Sequence, residues 1–220
     1  MKTFIISLGG SMIVPKEINV SYLKNLKNLI LKHSKKNKFI IVVGGGSTAR
    51  KYQKAGRELG LNSTDLDWVG IHTTWLNANF VRTVFQVKQG IVQNPTKKTN
   101  FKKILFAGGW KPGCSTDYDA VLLAKTYQAQ TVINITNVPY LHNKNPKVYK
   151  NTKIIKQTDW KTLRKIIGNK WSPGLNTPFD PIAAKLAQKL KLKLYLVGSD
   201  IKNLDNLLQG EKFKGSIVQD

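Results

Sequence analysis

The stretch Phe39 to Tyr52, FIIVVGGGSTARKY, constrains this chain more than any other. Five consecutive apolar residues, Phe39 to Val43, predict a buried strand, and Gly44-Gly45-Gly46 forces a tight turn directly after it. Ser47 or Thr48 then offers a cap for a helix that carries Arg50 and Lys51 in its first turns. Glycines let a ligand approach the main chain because no Cβ stands in the way. Amides at a helix N-terminus favour an anion, and Arg50 adds a forked, charged donor. The unit therefore reads as a phosphate cradle or as an ordinary strand-to-helix turn. The ordinary reading weakens because the chain repeats the device, as LGGS at 8–11 and GGWKPGCSTD at 108–117.

Taken in order, the periodicities alternate. Lys2 to Leu8 predicts a first strand, and Asn19 to His33 an amphipathic helix with Leu23, Leu26, Leu29 and Ile30 at helical spacing. After the central strand the next helix runs to about Leu59 and stops at Gly60. Ser63 or Thr64 starts a long helix to about Lys88, with Trp68, Ile71, Trp75, Leu76, Phe80 and Val84 facing inward. Pro95 to Lys103 reads as a polar loop, Ile104 to Ala107 as a short strand, and Gly108 to Gly113 as a loop. Ser115 to Tyr127 reads as a helix and Thr131 to Ile135 as a strand, followed by an irregular, Asn/Lys/Pro-rich segment over 136–152. A helix over 159–167 with Asp159 as cap, a Gly/Pro-rich loop over 169–178, and a helix from Asp180 to Leu190 with Pro181 in its first turn complete that half. Strand 193–197, helix 201–208 and a closing strand 215–218 follow. The alternation predicts an α/β fold: a three-layer αβα sandwich with a mostly parallel central sheet, in one domain spanning 1–220.

Composition sets limits on function. Thirty-six Lys and Arg against twelve Asp and Glu give a net charge of +24, which ordinarily points to a polyanion. The lysines are scattered, with only short clusters such as Lys35-Lys36, Lys97-Lys98 and Lys102-Lys103, so nucleic acid is not expected as the primary partner. A basic surface that steers small anions fits better. No apolar run approaches a membrane span, and MKTFIISLGG reads as a strand rather than a secretory signal. Cys114 is the only cysteine, which excludes an intrachain disulfide and agrees with a cytoplasmic location.

Ligands of parallel sheets sit at the carboxyl ends of the strands, so the three glycine loops can share one crevice. The order LGGS, VVGGGSTARKY, WVGIHTTWLNA, AGGWKPGCSTDYDAVLLA, VINITNV and FDPIAAKL resembles the amino acid kinase superfamily, and within it the archaeal-type uridylate (UMP) kinases. The resemblance implies ATP-dependent phosphorylation of UMP to UDP, with ATP as donor, Mg²⁺ as companion ion and no metal site assigned to particular residues. By analogy it also implies a homo-oligomer, a homohexamer built from dimers. The acceptor-side half would be about 1–128 and the nucleotide-donor half about 129–220. Gly45, Asp67 and the loop Trp110, Lys111, Pro112, Gly113, Cys114, Ser115 and Thr116 would bind UMP, with Asp67 accepting from ribose hydroxyls and Thr116 capping the next helix. Gly9, Gly10, Gly46, Arg50, Thr136, Asn137, His142 and Asn145 would bind ATP, and Arg50 and Asp180 would act at the transferring phosphoryl group. Asp117 belongs to the motif but is equally read as helix stabilisation. Asp119 stands where the family usually has a small apolar residue, and is given no role.

Two departures touch the donor side. Ser7 occupies a position, two residues before the first glycine pair, where many members carry Lys or Asp; Lys2, Lys111 or another lysine would have to supply the missing charge. TNVPYLHNKNP replaces the family's TNVDGVYxxDP, so Pro139-Tyr140 stands for Asp-Gly, His142 for Tyr and Asn145 for the second Asp. Pro139 fixes φ and lacks an N–H, so this loop must fold differently. The alternatives to a UMP kinase are a kinase of another small phosphate or carboxylate, a non-catalytic or weakly catalytic nucleotide-binding protein, and a basic protein associated with RNA or DNA.

Overall fold

A computed structural model describes residues 1–146, 148–168 and 177–220. The elements run β1 (Thr3–Leu8), α1 (Gly10–Ile13), α2 (Val20–Ser34), β2 (Lys38–Val43), α3 (Gly46–Glu58), α4 (Ser63–Val84), β3 (Ile104–Ala107), α5 (Thr116–Tyr127) and β4 (Thr131–Ile135). Next come β5 (Leu141–His142), β6 (Ile154–Ile155), β7 (Gln157–Thr158), α6 (Trp160–Ile167), α7 (Pro181–Lys189), β8 (Lys193–Val197), α8 (Ile201–Gln209) and β9 (Gly215–Val218). Among the described residues the main sheet has seven strands in the order β3-β2-β1-β4-β8-β9-β7, with β5 and β6 forming a separate antiparallel pair. The strands β3 through β8 of that order pair in parallel, and β9 lies antiparallel to β8.

Continuous apolar runs make these strands because both faces of the sheet are covered. Successive residues alternate between two cores. Ile5, Ile40, Val42, Leu105, Val132 and Leu194 pack under α5, α6 and α7 with Leu123, Trp160 and Ala183. Ile6, Phe39, Ile41, Val43, Phe106 and Ile133 pack under α1, α2, α4 and α8 with Ile13, Leu26, Val81 and Leu204. The expected three-layer arrangement with a mostly parallel sheet is what the chain adopts.

Several local readings are corrected. LGGS is not merely a loop, because Gly10 opens a one-turn helix. Neither Ser47 nor Thr48 caps α3: Gly45 is the N-cap without a side-chain bond, and Ser47 Oγ donates instead to the Lys16 carbonyl at 3.2 Å. The long helix ends at Val84, short of Lys88, since Phe85 turns into the core and Gln86 takes φ 58°. Its inward face is also different. Ile71, Thr73, Thr74, Asn77, Ala78 and Val81 are buried, whereas Trp68, Leu76 and Phe80 stand at least 38% exposed. α4 lies close against α3 and the backbone of the glycine loops, so small and polar side chains fit that face and bulky ones do not. The segment expected to be irregular after β4 contains β5, whose pairing with β6 comes from distant residues. β7 was not foreseen either. The expected Gly/Pro-rich loop falls mainly on residues 169–176, outside the described residues.

The order of the sheet fixes where a ligand can sit. From β1 the chain goes to β2 on one side, and it returns on the other side as β4. The carboxyl ends of β1 and β4 therefore flank a topological switch point, where the connections diverge and leave a crevice. Gly9-Gly10, Gly44 to Gly46, Gly108-Gly109 and Thr136-Asn137 all follow strands at this edge.

Candidate active site

Two glycine loops meet backbone to backbone at the switch point. An added Cβ at Gly10 would lie 2.0 Å from the Gly46 nitrogen, and one at Gly44 would lie 2.6 Å from the Gly10 nitrogen. Gly46 also holds φ +66°, a left-handed conformation that glycine takes without strain. The Gly44 amide donates to the Leu8 carbonyl and the Gly9 amide to the Ile135 carbonyl, both at 3.0 Å. Gly9 thus ties β1 to β4, and its amide is already used. The buried Asn77 of α4 secures the second loop from below: its Nδ2 donates to the Gly44 carbonyl at 2.9 Å and the Gly45 carbonyl at 3.0 Å. At the N-terminus of α3 the Ser47 N–H donates to the Val14 carbonyl at 2.9 Å, which leaves the Gly46 and Thr48 amides as those without an intrahelical acceptor. Exposed Arg50 stands one turn along, its Nη1 donating to Ser11 Oγ at 3.5 Å.

The 109–113 loop is held by four side chains. Thr74 Oγ1 accepts the Gly109 N–H at 2.7 Å, and Trp75 Nε1 donates to the Gly109 carbonyl at 2.7 Å. Asp119 Oδ2 accepts the Trp110 N–H at 3.1 Å, and Asp67 Oδ2 accepts the Gly113 N–H at 2.9 Å. Lys111 Nζ lies 4.2 Å from the Trp110 ring centroid, so its charge rests on that ring. The loop hands over to α5, which Ser115 caps by accepting the Tyr118 N–H; Thr116 is the first helical residue, not the cap.

These parts enclose a cavity lined by Gly45, Gly46, Arg50, Gln53, Asp67, Cys114, Ser115 and Thr116. Trp110, Lys111 and Gly113 line an adjoining cavity with Cys114, Ser115 and Asp180. Pro112 lies between them in the loop and lines neither. On the other side of the switch point, Thr136, Asn137, Tyr140, His142, Lys144 and Asn145 line a third cavity of about 170 Å³, closed by Ile166, Ile167 and Pro178. His142 Nδ1 is hydrogen-bonded to Thr152 Oγ1 at 2.9 Å, so the β5–β6 pair sets its ring. Of the residues expected on the ATP side, Thr136, Asn137, His142 and Asn145 line this cavity, whereas Gly46 and Arg50 line the cavity of Gly45 and Asp67, and Gly9 and Gly10 line none of the three.

Asp117 joins the halves. Ser7 Oγ donates to its Oδ1 at 2.8 Å, and the Asp180 N–H lies 3.3 Å from its Oδ2. Burial pushes the Asp117 carboxyl up to about 6; the neighbouring Asp180 charge adds to this, and hydrogen bonds from Ser7 and the Asp180 amide oppose it. Asp180 is itself the N-cap of α7, accepting the Ala183 N–H at 2.7 Å, with Pro181 at the first helical position. Burial and nearby carboxylates push the Cys114 thiol up to about 11, which keeps it protonated. Lys2 sits at the opposite end of β1, where its carbonyl meets the Lys38 amide, and cannot stand in for a charge at Ser7. Among the described residues no group of three His, Cys, Asp or Glu side chains could hold a metal ion.

Sequence reasoning missed Asn77, Thr74 and Trp75, gave Asp119 no role, and left Asp117 undecided. Asp119 is fully buried and holds the Trp110 amide, which overturns the expectation for it. The only advance signal was that all three α4 residues lie within the quoted segment WVGIHTTWLNA.

A parallel sheet with glycine loops and flanking cavities at its switch point defines a phosphate-handling α/β protein. The chain belongs to the amino acid kinase family, whose profile matches residues 2–198. Among its relatives, a uridylate kinase of Thermococcus kodakarensis is 34% identical over 98% of both chains. One from Thermoplasma volcanium is 31% identical over 96% of this chain and 94% of that protein. The crystal structure of uridylate kinase from Archaeoglobus fulgidus superposes with a TM-score of 0.85 at 30% identity, covering 99% of this chain and 100% of that one.

Proposed function

We propose that this protein is a UMP kinase, transferring the γ-phosphoryl group of ATP to UMP to give UDP. The observation that carries the reading is the placement of one cavity on each side of the Gly10–Gly46 contact, with cationic and amide donors at the junction. UMP occupies the cavity of Gly45, Asp67 and the 110–116 loop. Asp67 Oδ2 is engaged by Gly113, so Oδ1 faces the ribose hydroxyls, and the same carboxylate closes the loop and orients the sugar. ATP occupies the cavity of Thr136, Asn137, His142 and Asn145, with its phosphates running toward Gly10 and Gly46. We further propose that residues 1–220 act as one unit, with the acceptor half at about 1–128 and the donor half at about 129–220.

In the reaction a UMP phosphate oxygen forms a bond to the γ-phosphorus, and the bond from that phosphorus to the β–γ bridging oxygen breaks, leaving ADP. Such a transfer asks the protein to align the two phosphates and neutralise charge, with no covalent intermediate. The α3 amides and Arg50 supply that neutralisation, and Asp180 and Asp117 position the N-terminus of α7 against β1. ATP enters as its Mg²⁺ complex.

A steady-state assay across nucleoside monophosphates with ATP and Mg²⁺ tests the reading: UMP should be preferred, and Asp67→Ala should weaken it at least tenfold as a buried hydroxyl loses a charged acceptor. Preference for another acceptor, or an unchanged UMP affinity in Asp67→Ala, refutes it. Ser7 favours a second reading, nucleotide binding with slow turnover, because a hydroxyl and not a cation faces Asp117. Loss of one preorganised charge contact costs about 10²–10³ in rate. Calorimetry with UMP and with ATP beside the assay separates the two readings.

A further inference from the structure

Asp119 is a carboxyl group in a place that ordinarily suits an apolar side chain. It lies in the first turn of α5 with no exposed surface. One oxygen, Oδ2, accepts the Trp110 N–H, while Oδ1 is buried without a hydrogen-bond partner among the described residues. A buried carboxylate with an unsatisfied oxygen is costly, and a neutral carboxylic acid is much less so. The titratable groups around it offer the charge no relief. Asp117 and Tyr118 share its helix, Asp180 stands at the cap of α7, and Cys114 lies on the loop, with Lys111 and Asp67 of α4 acting on Cys114 in turn. Only Lys111 is cationic, and it is drawn to the Trp110 ring.

We propose that Asp119 is a positioning residue for the acceptor: in its neutral form it holds the 109–113 loop through the Trp110 amide, and its ionisation weakens acceptor binding. The inference rests on the reading of the adjoining cavity as the UMP site. Burial pushes this carboxyl up to about 8, with the Asp117 and Asp180 charges adding and the Trp110 hydrogen bond opposing. At neutral pH the acid form therefore prevails. Above it, a negative charge appears directly behind the loop that must receive an anion. The new charge repels the acceptor phosphate; the Trp110 N–H bonds a carboxylate more strongly than an acid, so what favours an opened loop is the hydration that a buried charge with an unpaired oxygen demands. Neighbouring groups titrate outside this window, Asp117 near 6 and Cys114 near 11, so the response belongs to Asp119.

The test is UMP dissociation constants by calorimetry from pH 7 to pH 9.5 for the wild type and for Asp119→Asn. Asparagine mimics the neutral acid, and its carbonyl can still accept the Trp110 N–H. For one linked proton, the wild-type constant should rise about tenfold between pH 7 and pH 9, while the Asp119→Asn constant stays flat. Opening the loop lets water reach Asp119 and release its proton, so amide hydrogen exchange of residues 108–115 without nucleotide, corrected for the intrinsic pH dependence, should accelerate from pH 6 to pH 8 and level off above it in the wild type alone. Parallel pH profiles in the two proteins overturn the proposal. If Asp119→Asn does not fold, a flat wild-type exchange profile for the loop overturns it equally. Absence of UMP binding in both proteins sinks the acceptor reading instead, and the exchange profile still decides the role of Asp119.

Discussion

Replacing Gly10 by alanine places a methyl carbon 2.0 Å from the Gly46 nitrogen, 2.6 Å from the Gly44 carbonyl carbon and 2.7 Å from its oxygen. Ordinary contact begins at 3.4 Å, so the nearest approach is short by about 1.4 Å. All three obstacles are backbone atoms, and no side-chain rotation can relieve them. One loop must retreat from the other, which breaks either the Gly44–Leu8 hydrogen bond or the Asn77 contacts that seat Gly44 and Gly45. Overpacking of a tight site typically costs about 1–3 kcal/mol, and a backbone clash on three sides belongs at or beyond the upper end. The retreat also parts the two phosphate cradles by about 1 Å, a misplacement worth on the order of 10² in rate. Gly10→Ala should therefore lose about 3 kcal/mol in urea unfolding and at least 10² in kcat. Gly90→Ala is the control, since nothing lies within 4 Å of its added Cβ. A Gly10→Ala protein with the stability and turnover of Gly90→Ala would refute the argument that the loops touch.

Asn77→Ala leaves the buried Gly44 carbonyl without its donor, while the Gly45 carbonyl keeps the Ala49 N–H, and should cost about 1–3 kcal/mol by thermal or urea unfolding, with turnover falling as well. Trp75→Phe keeps the ring but removes the donor to Gly109; KM for UMP should rise roughly fivefold, the worth of about 1 kcal/mol, with kcat changing less. Folding stability should fall as pH rises from about 4 to about 8, because native Asp117 and Asp119 hold protons that their unfolded counterparts release near 3.8. Each contributes roughly 1.4 kcal/mol per pH unit, Asp117 up to about 6 and Asp119 up to about 8, and Asp119→Asn should flatten the upper part of a urea-midpoint profile. Ser7→Ala deletes a hydrogen bond that holds the Asp117 carboxyl down, so the acid limb of kcat/KM should move to higher pH.

The strands and glycine turns of this protein were legible without coordinates. A run such as Phe39 to Val43 with no polar residue can only be buried on both faces, and glycines after a strand announce a close approach of main chains. The alternation of strands and helices then leaves a mostly parallel sheet as the economical arrangement, and the edge that carries the glycine loops follows from it. Tertiary structure alone decided which side chains serve those loops. Ser7 and Asp117 meet across 110 positions because β1 ends where α5 begins, and neither residue carries a local signal of the other. Asn77 reads as a polar residue on an amphipathic helix until the carbonyls of Gly44 and Gly45 are brought beneath it. Trp68 and Phe80 read as core by spacing, yet α4 turns its small residues inward, because what packs against a helix face selects which face is buried. Asp119 shows the same limit: the charge of a carboxyl is written in the sequence, but whether it keeps that charge depends on the water and partners that the folded chain allows it.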